Sequence, residues 1–153
     1  MAKKKAQTTK RIQNKRAKFD YDLGDGFVAG LVLTGAETKA LRLGHGHLKG
    51  SYVTVKDGEL FLLNATITGF NGVKLSESEQ TRSRKLLMKR KEIDTLLEAK
   101  KQGKSIIPTE LLTQGRYIKL RVGVGTGRKQ HDKRQLIKKR DQARDTYREL
   151  SKR

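Results

Sequence analysis

The chain is 153 residues long and carries 36 Lys and Arg against 16 Asp and Glu, a formal net charge of +20. That is one domain's length, and the charge points to a polyanionic ligand, because each cation that neutralises a phosphate releases condensed counterions. No run of about 18 apolar residues is present to span a membrane, the charged Met1–Lys5 start lacks the apolar core of a signal peptide, and the lack of cysteine excludes disulfides, zinc fingers and thiol nucleophiles. A soluble, cytoplasmic, nucleic-acid-facing protein is expected, with no membrane partner and no small-molecule substrate.

Composition divides the chain in three. Of its 37 Leu, Ile, Val and Phe residues, 33 fall between positions 19 and 124, which leaves both ends too polar to bury a core. Residues 1–18 form a basic arm with eight Lys and Arg and no acid. Residues 19–124 read as the folded body. Residues 125–153 form a basic tail, and from Arg128 onward it holds eleven bases and four acids. Within the body, residues 19–81 are slightly acidic, whereas 82–104 concentrate nine bases against three acids. Such segregation exceeds what solubility requires.

The body reads mainly as strands. Phe27–Leu33 is a strand candidate, followed by a short helix over Ala36–Leu43 that stops at Gly44. Tyr52–Val55 and Leu60–Leu63 are β-rich runs around Asp57-Gly58, a dipeptide suited to a tight hairpin turn. Ala65–Phe70 is a weaker strand. The leucine spacing then predicts a helix over Lys85–Gln102, with Ser83 placed as its cap and Gly103 as its stop. Ser105–Ile107 reads as a strand ending against Pro108. Tyr117–Val124 alternates cleanly, with Ile118, Leu120, Val122 and Val124 on one face and Lys119 and Arg121 on the other. Short strands with turns between them suggest a mainly β fold, an antiparallel sheet closed as a barrel. Gly123–Lys129 is expected to be a hinge. The tail beyond it has good helix formers but weak apolar support, so it is expected to be marginal alone and to fold on a polyanion.

Enzyme constellations fail on inspection. His45-Gly-His47 has no Cys or carboxylate cluster nearby to complete a metal site, and Asp20, Asp22 and Asp25 do not match a calcium loop. Glu37, on its short helix beside Lys39 and Arg42, reads as an ion-pair or helix-start charge. No catalytic residue, cofactor or metal is expected. Many cations with only four Tyr and four Phe favour recognition of a folded RNA's backbone and shape over broad base stacking.

Several blocks, in order, carry a family resemblance. They are Asn14–Ala17, Ala29–Gly35 running into Glu37–Arg42, Ser51–Val53, Gly58-Glu59, Arg82–Leu87, Glu92-Ile93 and Gly127–Arg134. Over nearly its whole length the chain resembles the SmpB (small protein B, SsrA-binding protein) family of bacterial trans-translation. That resemblance implies an oligonucleotide-binding (OB)-type β-barrel with flanking helices that holds the tRNA-like domain of tmRNA. It also implies a C-terminal tail that enters the decoding site of a stalled ribosome, against small-subunit rRNA, and occupies the empty mRNA path as a helix. Carried over by position, Asn14, Lys15, Arg16, Glu37, Lys39, Arg42, Arg84, Lys85 and Leu86 match the family's tmRNA-binding positions. Gly127, Arg128, Lys129, His131, Asp132, Lys133 and Arg134 match its decoding-site segment. The chain departs from the family pattern at Val28, where Glu is usual, at Thr38 and Ala40, across Thr66–Phe70 and just before Arg82. The alternatives are a general basic RNA-binding or ribosomal protein, or a non-catalytic subunit of an RNA-processing enzyme.

Overall fold

A computed structural model describes residues 11–69, 72 and 74–152. Lys3, Lys4, Lys5 and Lys10 of the arm, Phe70 at the end of one strand candidate, and Arg153 lie outside the described residues. The elements run β1 (Ile12–Gln13), α1 (Ala17–Asp20), β2 (Tyr21–Leu31), α2 (Gly35–Arg42), β3 (Gly46–His47), β4 (Tyr52–Lys56), β5 (Glu59–Leu63) and β6 (Thr66–Ile67). Then follow α3 (Glu77–Gln80), β7 (Arg84–Leu87), α4 (Arg90–Lys101), β8 (Ser105–Leu112), β9 (Lys119–Gly127) and α5 (Gln130–Ser151).

Seven strands form one antiparallel sheet in the order β1-β8-β9-β2-β7-β5-β4, and β3 pairs with β6 separately. The sheet curls until β4, at one end of that order, packs against β8 near the other, the OB-like half-barrel the resemblance implies. Its interior is filled by alternate residues, among them Ala29 of β2, Leu60 and Leu62 of β5, Leu86 of β7 and Leu120 and Val122 of β9, each at most 2% exposed. Leu41 of α2 and Leu96 of α4 close the barrel from outside the sheet. Ile12, Asn14 and Ala17 are also buried, so chain on the N-terminal side of residue 18 contributes to the core despite its basic composition.

The β4–β5 hairpin turns where the sequence places it. Asp57 and Gly58 both have left-handed backbones, φ 52° and 74°, the pair of conformations a two-residue type I′ turn needs. The alternation expected for β9 is observed, with Lys119 and Arg121 outward.

Three sequence expectations need correction. The helix placed at Lys85–Gln102 begins only at Arg90, because Arg84–Leu87 is the strand that joins Leu62 and Phe61 of β5 to Gly30 and Leu31 of β2. Tertiary pairing outweighs leucine's helix preference there. The cap is accordingly not Ser83; the Lys89 amide donates to the Glu92 carboxylate (3.2 Å). Second, β8 continues through Pro108 to Leu112. The register slips between Pro108 and Glu110, and a residue without an N–H is tolerated where the ladder is already broken. The Asn14 side-chain amide donates to the Pro108 carbonyl (3.0 Å), and the Asn14 main-chain amide to that of Thr109 (2.8 Å).

Third, Gly123–Gly127 is strand and not a hinge. Gly125 faces Leu23 across β2, and a Cβ there would be driven into the Asp22 carbonyl while lying 3.0 Å from Leu23 Cα. Glycine is required for close backbone approach, not for mobility. Gly125→Ala is expected to destabilise the fold by about 1–3 kcal/mol, read as a lowered urea midpoint. An unchanged midpoint would mean that β2 yields without cost.

Candidate nucleic-acid interface

The sequence-predicted residues of the body separate into a buried set and an exposed set. At the centre of the buried set is Glu37, 1% exposed. Thr34-Gly-Ala-Glu37 opens α2 as a capping box, in which the Glu37 amide donates to Thr34 Oγ1 (3.2 Å) and the Thr34 amide to Glu37 Oε2 (3.1 Å). Two arginines converge on the same carboxylate. Arg82 grips it with Nε and Nη2, both at 2.7 Å, and Arg84 adds Nε and Nη2 contacts to Oε1 at 3.3 and 3.2 Å. Arg84, also 1% exposed, further donates to the carbonyls of Ala65, Arg82, Glu79 and Gln80 at 2.9–3.1 Å.

Burial alone would raise the Glu37 carboxyl. The Arg82 hydrogen bond, the Thr34 amide and the charges of Arg84 and Arg82 outweigh it and hold the group below the usual Glu value. Burial pulls Arg84 down against the opposing pull of Glu37, whereas Arg82, a third exposed, is raised by its bond to the same carboxylate. A guanidinium remains charged throughout, so the node carries one negative and two positive charges. It locks α2, the end of α3 and the Ala65 turn onto β7.

Asn14, Glu37, Arg84 and Leu86 are buried. Glu37 is an ion-pair and helix-start charge, as its place in the sequence suggests, but its partners are Arg82 and Arg84 instead of Lys39 and Arg42. Lys15, Arg16 and Lys39 are exposed, Arg16 lying 3.4 Å from Asp20. Lys85 is partly exposed and pairs with Glu59 at 2.7 Å. Arg42 is turned away from Glu37. Its Nη1 donates to the Thr113 and Gly115 carbonyls (3.1 and 3.0 Å) and its Nη2 to that of Arg116 (2.9 Å).

On the outer face of the sheet Val28 lies opposite Arg121, and Gly30 lies between Lys119 and Leu87. Val28, Val32 and Leu87 are 44–53% exposed there, an apolar patch bordered by cations. Val28 thus places a neutral side chain beside Arg121.

The tail starts docked on the body. Gly127 pairs with Tyr21, the Arg128 amide donates to the Asp20 carbonyl (2.7 Å), and the Arg128 guanidinium lies 3.9 Å from the Asp22 carboxylate. Lys133 reaches Asp20 Oδ1 at 3.2 Å and lies 5.9 Å from the Phe19 ring centre. Lys129 precedes the first helical turn, and His131, Asp132 and Arg134 are exposed. No residue of α5 is buried. Between α5 and the body is an open cleft of about 630 Å³, lined by Lys15, Lys18, Arg121, Arg128 and Arg140 along with Asp22 and Glu110.

Sequence reasoning missed Arg82 as the stronger Glu37 partner and Asp20 as the tail's anchor. The Thr34-x-x-Glu37 spacing announces the cap. Nothing local announces a contact between residues 20 and 133, more than a hundred positions apart. Among the described residues no group of three or more His, Cys, Asp or Glu side chains is placed to hold a metal ion, and no helix is long and apolar enough to cross a membrane.

A family model described as SmpB protein matches residues 11–152. The SsrA-binding protein of Acidiphilium cryptum is 44% identical over 143 residues, covering 92% of this chain and 90% of the relative. That of Shouchella clausii is 38% identical over 142 residues, covering 92% and 91%. That of Nitratidesulfovibrio vulgaris is 38% identical over 153 residues, covering 99% of each. A solved structure described as "tmRNA-SmpB: a journey to the center of the bacterial ribosome" superposes with a TM-score of 0.65 at 32% identity, covering 78% of this chain and 85% of that one.

Proposed function

The chain belongs to the SmpB family, and from that premise we propose that it is a non-enzymatic, cytoplasmic RNA-binding adaptor for trans-translation. Its body holds the tRNA-like domain of tmRNA, and its tail carries the complex into the decoding site of a stalled ribosome. The observation that carries this reading is the pairing of an OB-like β half-barrel with a 22-residue cationic helix that buries none of its residues. A helix that buries none of its side chains against the body leaves its cations free for another partner, and its charge selects a polyanion.

Residues divide by role. Lys15, Arg16 and Lys39 give exposed cations for tmRNA phosphates, and Lys85 joins them once Glu59 is displaced. Asn14, Glu37, Arg84 and Leu86 hold the strands and the helix that present those cations. On the tail, Arg128, Lys129, Lys133 and Arg134 meet ribosomal phosphates. His131 stacks on a ribosomal base, while Gly127 and Asp132 shape the root of the helix. The tail fills the mRNA path, so tmRNA is accepted without a codon.

A gel-shift titration tests the first half of the reading, using the tRNA-like domain with ordinary tRNA and duplex RNA as competitors at two salt concentrations. All complexes should weaken as salt rises, by counterion release. The tRNA-like domain should keep its advantage at the higher salt. Equal binding of all three RNAs, fading together, would leave only a general basic RNA-binding protein.

A further inference from the structure

We infer that the loop between β8 and β9 is a base-stacking site, in which Tyr117 takes one unpaired base of the bound RNA and Arg42 is the positioning residue that presents it. This rests on the RNA-binding reading above and adds to it a recognition element for bases, where the cations recognise backbone.

Tyr117 is 68% exposed, and among the described residues it is the most exposed aromatic of the body. A large apolar ring left in water at a loop tip costs solvation unless something covers it. The Arg116 guanidinium carbon lies 5.5 Å from the ring centre. An aromatic ring with a guanidinium against it is the chemistry that holds a splayed base, by stacking on the ring and by cation–π attraction from the arginine.

The loop is also held firmly. Thr113 and Ile118, which flank the tip, are each 4% exposed, and Gly115 makes the turn with φ 92°. The three Arg42 hydrogen bonds span Thr113 to Arg116, so the guanidinium acts as a staple across the loop's backbone. Arg42 is the last residue of α2, whose first turn is fixed by the Glu37 node. One short helix thus links a buried ion cluster to an exposed ring. A site ordered before binding loses less entropy on binding. An unpaired base is favoured over a protein side chain because the flanking groups are cationic: Arg116 beside the ring and Lys119 at the start of β9.

The chain has no Trp, so Tyr117→Trp supplies a single emitter at the site. Titrating it with the tRNA-like domain should quench the emission as the base stacks, and a fully paired RNA duplex should leave it unchanged. Tyr117→Ala should weaken binding of the tRNA-like domain by about 5- to 150-fold, while Tyr117→Phe keeps the parent affinity. Adding Arg42→Ala to Tyr117→Trp should remove the quenching at saturating RNA. Adding Arg42→Ala to Tyr117→Ala should cause little further loss, a non-additivity that a purely structural arginine does not produce. Thermal unfolding of each variant separates misfolding from misplacement. RNA binding with unchanged Trp emission, together with a Tyr117→Ala variant that binds like the parent, overturns the stacking site and leaves the RNA-binding reading standing. Absence of RNA binding by the parent protein overturns both.

Discussion

Glu37→Gln is expected to destabilise the body by about 3–5 kcal/mol, the range for stripping one partner from a buried ion pair. The substitution keeps the side chain's length, and glutamine still serves as the third residue of a capping box, so it isolates the charge. Arg84, 1% exposed, is then left cationic with only carbonyls and a neutral amide around it. Arg82 is a third exposed and recovers much of its loss from water. Against a total stability of about 5–15 kcal/mol for an ordinary domain, the loss brings the body close to unfolding. Urea denaturation followed by circular dichroism measures it, and a loss below about 1 kcal/mol would contradict the central role given to this carboxylate.

The same group sets part of the acid limb. Its folded pKa lies below the ordinary 4.5, so the folded state binds its proton less readily than the unfolded chain does. The contribution is complete above about pH 4.5 and is lost as pH falls through the folded value. The parent should therefore lose stability more steeply than Glu37→Gln below that pH. Parallel acid limbs would place the sensitivity elsewhere.

Removing residues 129–153 is expected to abolish peptide tagging on stalled ribosomes while leaving affinity for the tRNA-like domain within a few-fold. The position of the cut matters. Gly125, Thr126 and Gly127 pair with Leu23, Asp22 and Tyr21, so a deletion beginning at residue 125 damages the body and confuses two effects. In the full chain, His131→Ala should impair acceptance on the ribosome without changing free RNA binding. A tagging assay beside a filter-binding titration reads both. Efficient tagging by the truncated protein would remove the tail from the mechanism, and a matching loss of free RNA binding would merge the two roles.

Much of this architecture is legible in the sequence because it is local. The Asp57-Gly58 turn, the alternation of β9 and the Gly44 and Gly103 helix stops each follow from a few adjacent residues. The errors are non-local. Arg84–Leu87 has a helix-forming composition, yet it supplies the strand between β2 and β5, and only the fold creates that need. Pro108 reads as a strand end until the bulge and the Asn14 side chain give its carbonyl a place. The Gly123–Gly127 run looks mobile because glycine is ambiguous: the same residue serves a hinge and a close backbone contact. At the interface, a charged residue in a recognised block is easily read as a ligand contact. Burial separates Lys39, in water, from Glu37 two residues away, which is sealed inside.

The attachment of α5 has a mechanical consequence. Body contacts to the tail are concentrated at its root, through Arg128 and Lys133 on Asp20 and Asp22, whereas the helix continues for 22 residues, a rod about 33 Å long. A rotation of about 10° at that pivot displaces the far end by about 6 Å, the length of a full helical turn. Small changes in one carboxylate's surroundings are magnified into large excursions of the tip, so the aim of the lever is set at Asp20.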